Sequence, residues 1–417
     1  MDFFSAIPLP LWIAALLAFY VAWAIGANDV ANAMGTSVGS GALTVGGAII
    51  VAAIFEFAGA FLAGGHVTDT VRKGMLDMSL LGREELIYGM MASLASAGTL
   101  LIGATRFGLP ISTTHAIVGA IVGFGAVAIG IDAVNWPKVL QISLSWITSP
   151  LLAGVIAFAI FHLIRSTILN KSNPVHQIRK YGPAFFFFVF FIIGLVTLFK
   201  GLKHINLDLD LMEALAGSVA LGLIGSGIGA FFIRRVQIGE ADPDHRFDQV
   251  ERIFVVLQIL TACAIAFAHG SNDVANAIGP LAAIVNAVEN VDLTAKAPVA
   301  PWMLAIGGLG IVIGLATWGY RVMETVGKKI TELTPSRGFA AQLAAASTIV
   351  LASRLGIPIS TTHTLVGAVL GVGLARGITA LDLRVVGNIL ASWIATLPIA
   401  AALSVFFYYF FKGLLTA

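Results

Sequence analysis

Twelve long apolar stretches divide the chain, at about 8–27, 42–65, 85–105, 110–130, 138–164, 183–200, 212–233, 251–270, 301–320, 339–353, 358–375 and 385–411. They are near-continuous in apolar residues and rich in Gly and Ala, which predicts transmembrane helices and not the strands of a membrane barrel. No basic segment precedes the first stretch and no small-residue cleavage site follows it, so it reads as a retained span. The longest polar stretches, 166–182 and 234–250, read as solvated connectors that anchor helix ends, with a regulatory or partner-binding loop as the alternative.

Composition narrows this further. Of 417 residues, 24 are Lys or Arg and 22 are Asp or Glu, so 11% are charged, against about 25% in a soluble domain. Hydrophobic residues make up 58% and the mean hydropathy is +0.94. A soluble enzyme, a disordered chain and a nucleic-acid binder are excluded, because neither the charge nor a net +2 would serve them. The single Cys263 excludes a disulfide framework or a cysteine metal cluster. The expected fold is therefore an all-α polytopic membrane protein of about 12 transmembrane segments. Alternating the stretches puts 15 Lys and Arg residues in one set of connections and 9 in the other. The richer set is assigned to the cytoplasm, which leaves both termini outside the cell membrane.

The strongest pattern is a duplication. GANDVANAMG (26–35) recurs as GSNDVANAIG (270–279), matching at eight of ten positions, and GLPISTTHAIVGAIVGFG (108–125) recurs as GIPISTTHTLVGAVLGVG (356–373), matching at twelve of eighteen. Weaker echoes pair Arg106 with Arg354, TVRK (70–73) with TVGK (325–328), and Ser145-Trp146 with Ser392-Trp393. The chain divides into a first repeat at 1–165, a central linker with two transmembrane helices at 166–250, and a second repeat at 251–417. An odd number of crossings separates the copies, whether 85–130 makes two spans or one re-entrant hairpin. The second copy therefore enters the membrane inverted, an architecture of secondary transporters with the site near the midplane.

Packing alone explains repeated Gly and Ala, but not why Asn, Asp, Ser, Thr and His match best, since polar groups are costly at membrane depth. Asn28, Asp29 and Asn32, with their copies Asn272, Asp273 and Asn276, offer hard oxygen ligands for a small cation. The alternative is a helix cap just outside the membrane. No Lys or Arg lies within a helical turn of either Asp, so a buried carboxylate there is protonated, paired or cation-bound. In the second motif, Gly-x-Pro breaks a helix and Ser112-Thr113-Thr114, or Ser360-Thr361-Thr362, opens the next. Free N–H groups, hydroxyls and a helix-dipole positive end then coincide, which suits an anion. Capping and back-bonding within a kinked span is the alternative. His115 and His363, just inside the new helices, could donate to the anion, relay protons or simply pack. Glu56, in an apolar run, is a cation or proton candidate, and Gln342 offers an amide for a cation or for interhelical bonding. His269 stands where the first copy has Ile25, so any role for it is asymmetric. Ser145 and Ser392 read as packing, and Arg106 and Arg354 as positive charge near the anion or as interface anchors.

No phosphate loop, zinc spacing, G-x-S-x-G or H-E-x-x-H is present, so an ion gradient is the expected energy source. Cations beside an anion would offset its charge and let the loaded carrier rearrange. At these residues the chain resembles the inorganic phosphate transporter (PiT) family, whose duplicated motifs G-[AS]-N-D-V-A-N-A-[MI]-G and G-[LI]-P-I-S-T-T-H stand in both halves. The resemblance implies phosphate uptake driven by Na⁺ or H⁺ on a twelve-segment inverted repeat with two re-entrant helical hairpins, as a homodimer. It assigns cation and substrate contacts to Asn28, Asp29, Asn32, Asn272, Asp273, Asn276 and the two Ser-Thr-Thr clusters. Some members carry Glu where this chain has Gln342.

The reading is an importer of inorganic phosphate, not an enzyme, with Na⁺ as coupling ion and no cofactor. Phosphate falls to Ser112, Thr113, Thr114, Ser360, Thr361 and Thr362, with Asp29, Asp273, Asn32 and Asn276. Na⁺ falls to the six Asn and Asp residues with Ser112 and Ser360. Proton coupling, sulfate as substrate, a passive anion channel and an intramembrane hydrolase are the rivals.

Overall fold

The computed structural model describes residues 8–66, 75–77, 80–198, 209–235, 246–289, 299–354 and 359–416. These residues form thirteen α-helices and no strand: α1 (Leu9–Gly39), α2 (Val45–Ala63), α3 (Arg83–Arg106), α4 (Thr113–Ala128), α5 (Trp136–Ile164), α6 (Pro174–Val196), α7 (Leu211–Arg235), α8 (Arg246–Glu289), α9 (Pro301–Trp318), α10 (Tyr320–Glu324), α11 (Pro335–Arg354), α12 (Thr361–Arg376) and α13 (Leu383–Thr416). Starts are marked in the sequence. Thr44 accepts a hydrogen bond from the Gly47 amide, Asn135 from Lys138 and Asn173 from His176, and prolines fill the first turn of α1, α5, α6 and α9.

Among the described residues nine helices are long and apolar enough to cross a bilayer. The stretches at 110–130, 339–353 and 358–375 form α4, α11 and α12, which are not among the nine. With 16 residues each, α4 and α12 rise about 24 Å, less than the ~30 Å of a hydrocarbon core. Exposed side chains on the long helices are apolar, such as Leu16, Val155 and Ile394, as expected for a surface solvated by lipid.

Packing is reciprocal between the two sequence copies. α1 lies against α9 and α8 against α2; α4 lies against α13 and α12 against α5; α3 also packs on α13, and α11 on α5. Glycines allow the closest of these approaches. A Cβ on Gly26 would sit 1.9 Å from the Ile311 carbonyl oxygen, and one on Gly270 would sit 2.1 Å from that of Glu56. A Cβ on Gly314 would meet Trp23 O at 1.8 Å, and one on Gly59 would meet Phe267 O at 2.0 Å. Backbone therefore touches backbone, as small residues permit between helices in lipid. The middle helices α6 and α7 pack on one another, Phe187, Phe190 and Phe186 lying over Gly222, Gly225 and Gly229.

Helix bounds bear on three of the sequence readings. The segment 166–182 is not mainly a connector: Arg165–Leu169 continue α5 as a π-turn, and α6 begins at Pro174, which leaves Asn170–Asn173 between them. The asparagine cap at Asn173 and the proline behind it start the helix early in a polar sequence. The expected boundary at 250/251 between linker and second repeat falls inside a helix, since α8 already runs from Arg246. The motif around Asp29 does not cap a helix; α1 continues through it to Gly39, and α8 runs through Asp273 to Glu289. The echo at 70–73, the Gly356-Ile357-Pro358 break and the Arg354 side chain lie outside the described residues.

Candidate functional site

The two long helices α1 and α8 pack against one another and carry the Asn-Asp motifs in their middles. Asn28, Asp29, Asn32, Asp273 and Asn276 are at most 3% exposed, and Asn272 is half-buried. The Ser-Thr-Thr clusters open α4 and α12 and are brought to the same place. Ser112 and Ser360 are N-caps, each accepting from the amide of the histidine three residues on, at 3.3 and 3.1 Å. They hold the helix starts in shape.

The first break is built in detail. Gly108, at φ +65°, closes the end of α3, and the Leu109 amide returns to the Ala104 carbonyl at 3.0 Å. Asn28 then clasps the segment: its Nδ2 donates to Thr105 Oγ1 at 2.9 Å and to Leu109 O at 3.1 Å, and its Oδ1 accepts from the Ile111 amide at 3.2 Å. From the other side Trp393 Nε1 donates to Pro110 O at 3.0 Å. All of this satisfies backbone that a break leaves exposed at membrane depth.

Across the centre the copies exchange hydrogen bonds. Asn32 of the first donates to Thr362 of the second at 2.9 Å, and Asn276 of the second donates to Thr113 of the first at 3.1 Å. Thr362 Oγ1 donates to Asp29 Oδ1 at 3.1 Å, and Thr361 Oγ1 to Asp273 Oδ2 at 3.0 Å. Asn272 Nδ2 reaches Asp273 Oδ1 at 2.9 Å. Asn32 Nδ2 reaches Asp29 Oδ1 at 3.2 Å. Asp29 Oδ2 and Asn32 Oδ1 are buried and make no hydrogen bond. Buried oxygen acceptors left over in this way suit a bound cation.

Between the two aspartates stands His269. Its Nε2 lies 2.8 Å from Asp273 Oδ2 and 4.0 Å from Asp29 Oδ2, while its Nδ1 lies 3.1 Å from Glu56 Oε1. Asp29, His269 and Asp273 each present a ligand atom within 4.8 Å of the others. With both ring nitrogens facing carboxylates, an imidazolium here makes two charge-assisted bonds. His269 therefore belongs to the centre, and Glu56 joins it through this ring. The signal was in the sequence: His269 precedes Asp273 by four residues, one helical turn on the same face. What hid it was the absence of a matching residue in the first copy.

Other expected residues lie further out. Gln342 bridges helices, donating to Ala33 O and Ser37 Oγ at 3.0 Å each and accepting from Thr261 at 2.9 Å. His115 and His363 face each other, ring centroids 4.3 Å apart, each 3.5 Å from a tryptophan, Trp146 and Trp393. Thr114 is half-buried. Arg106 is exposed at the end of α3. Ser145 and Ser392 donate to Ile142 O and Ile389 O within their own helices.

The model of the phosphate transporter family matches residues 25–404. The chain belongs to that family. Its similarity extends over whole proteins. A candidate phosphate permease of Haemophilus influenzae is 48% identical over 402 residues, 96% of each chain. The chloroplastic inorganic phosphate transporter 2-1 of Arabidopsis thaliana is 43% identical over 96% of this chain and 72% of its own. A solved structure of a sodium-dependent phosphate transporter superposes with a TM-score of 0.89 at 41% identity, covering 97% of this chain and 99% of the other. The family and the similar proteins are transporters, and this member is a multi-pass membrane protein and not an enzyme.

Proposed function

We propose that the chain carries inorganic phosphate across the cell membrane by Na⁺-coupled symport with alternating access. The observation that supports this most is the convergence of both motif copies in one buried cluster. There hydroxyl-bearing helix starts (Thr113, Thr361, Thr362) meet carboxylates and amides from the middle of two long helices. The reciprocal packing supports reading residues 1–165 and 251–417 as inverted copies around residues 166–250, with α3–α4 and α11–α12 as re-entrant hairpins. The extracytoplasmic termini follow from the charge count, and the homodimer rests on the family resemblance.

In this scheme the N-termini of α4 and α12 present dipole ends, amides and hydroxyls to a tetrahedral oxyanion. The free oxygens of Asp29 and Asn32 hold Na⁺ beside it. Asn28, fully engaged with the Thr105–Ile111 segment, acts by shaping the first helix start; Ser112 and Ser360 do the same as caps. The carboxylates also favour phosphate over sulfate, since protonated phosphate donates a hydrogen bond and sulfate has none to donate. The test is uptake of radiolabelled phosphate and sulfate into proteoliposomes, with Na⁺ and proton gradients imposed separately. Phosphate uptake on the Na⁺ gradient is expected. Uptake on the proton gradient alone removes Na⁺ from the scheme, and uptake of neither anion removes the transporter reading.

A further inference from the structure

A second site lies on the lipid-facing side of the two histidines. A cavity of about 940 Å³ runs between α5, α12 and α13, within the range of ligand pockets. Its walls are hydrocarbon: Ile147, Leu151 and Val155 of α5 and Leu390 and Ile394 of α13, all exposed on the bilayer side. Its inner end is aromatic, where His115, His363, Trp146 and Trp393 stack.

That inner end carries polar atoms with nothing to bond. Trp146 Nε1, His363 Nε2 and both ring nitrogens of His115 are buried and without a hydrogen-bond partner. Their complement can be read from the chemistry. His363 Nδ1 lies 3.1 Å from the Trp146 carbonyl oxygen, so that nitrogen carries the proton. In the neutral ring Nε2 is then a bare acceptor, while the indole N–H of Trp146 can only donate. Among the residues that line the cavity there is no acid to favour an imidazolium. The neutral His115 ring adds one more donor and one more acceptor, so the missing group must both donate and accept. A carboxylic acid does both, through its O–H and its C=O. A water molecule could bridge the same atoms while a lipid tail fills the apolar remainder, whereas a fatty acid supplies the polar head and the tail in one molecule.

We propose that this cavity is a binding site for a long-chain fatty acid, which enters sideways from the bilayer with its tail between α5 and α13 and its protonated carboxyl group against His363 and Trp146. The neutral acid is the form that such an apolar end accepts. The occupant would touch the two residues that directly follow the hydroxyl clusters of α4 and α12.

The purified full-length protein in lipid nanodiscs is titrated with palmitic acid that carries a diazirine in its tail, irradiated, and mapped by peptide mass spectrometry. Saturable labelling is expected on α5, α12 and α13 around Leu151, Leu370 and Leu390. Palmitic acid is expected to compete about tenfold better than its methyl ester, which lacks the O–H donor. Leu151→Trp, at a position already 64% exposed, is expected to block labelling by filling the groove. Labelling spread evenly over all lipid-facing helices and indifferent to Leu151→Trp overturns the site. Equal competition by the ester overturns the carboxyl head. Efficient disulfide dimers of Val155→Cys, with no fatty-acid label, would assign this face to a second copy of the chain and overturn the proposal.

Discussion

Asp29 and Asp273 occupy matching places in the two motifs, yet their surroundings differ. Asp273 is held by His269, Thr361 and Asn272, whereas Asp29 takes its hydrogen bonds at Oδ1 and has His269 only at 4.0 Å from Oδ2. Removing the charge should therefore do different things. Asp29→Asn is expected to leave the melting temperature unchanged and to weaken apparent Na⁺ affinity by about tenfold or more, read from Na⁺-driven phosphate uptake. Asp273→Asn strands His269 and is expected to cost about 1.5–3 kcal/mol of stability as well, since hydrogen bonds to charged groups are worth that much. Equal melting curves for both variants would contradict the inequivalence. Asn28 offers a third test. Its side chain satisfies a hydroxyl, a carbonyl and an amide around the first helix break. Asn28→Ala is expected to destabilise the protein by about 3 kcal/mol, the cost of leaving such buried groups unpaired. A loss of uptake at unchanged stability would instead make Asn28 a direct ligand.

At the scale of elements, helix–helix distance is set by glycine. Gly26 and Gly314 fix α1 against α9, and Gly59 and Gly270 fix α2 against α8. Gly314→Ala places a methyl group 1.8 Å from the Trp23 carbonyl, and main chain cannot yield as a flexible side chain would. Folded yield in detergent is expected to collapse for this variant. Gly103→Ala is the control, because nothing lies within 4 Å of its new Cβ, and it should gain up to about 1 kcal/mol from reduced backbone entropy. The same contacts locate the broken symmetry. Gly26 touches Ile311 where Gly270 touches Glu56, and Ile25 stands where the second copy has His269. One interface between the copies thus buries two isoleucines where its counterpart buries an acid and its imidazole partner. Motif comparison treats His269 as an oddity because it compares one helix at a time. The Glu56–His269 pair becomes visible only when α2 is laid on α8.

At the scale of the whole molecule, inversion predicts that equivalent turns lie on opposite sides of the membrane. Gly130 and Gly377 start matching turns, both with positive φ, before α5 and α13. Exposed Asp132 and Thr379 lie within them. With Cys263 replaced by Ser, Asp132→Cys is expected to react with a membrane-impermeant maleimide from outside intact cells, and Thr379→Cys only after the cells are opened. Reaction of both from one side would refute inversion.

The sequence by itself determined that the chain is helical and membrane-embedded, because hydrocarbon solvates long apolar helices and little else. It also marked the residues proposed to carry the chemistry, because a polar residue repeated at membrane depth has few reasons to exist. Asn28, Asp29, Asn32, the Ser-Thr-Thr clusters and their copies were legible for that reason. Tertiary structure alone decided that Asn28 clasps a helix break while Asn32 reaches across to the other copy, since both are the same side chain on one helix face. It alone decided that His269 links Asp273 to Glu56 and that the two histidines close an apolar cavity. Each of these depends on which helices lie side by side, and one-dimensional spacing carries no information about partners so distant along the chain.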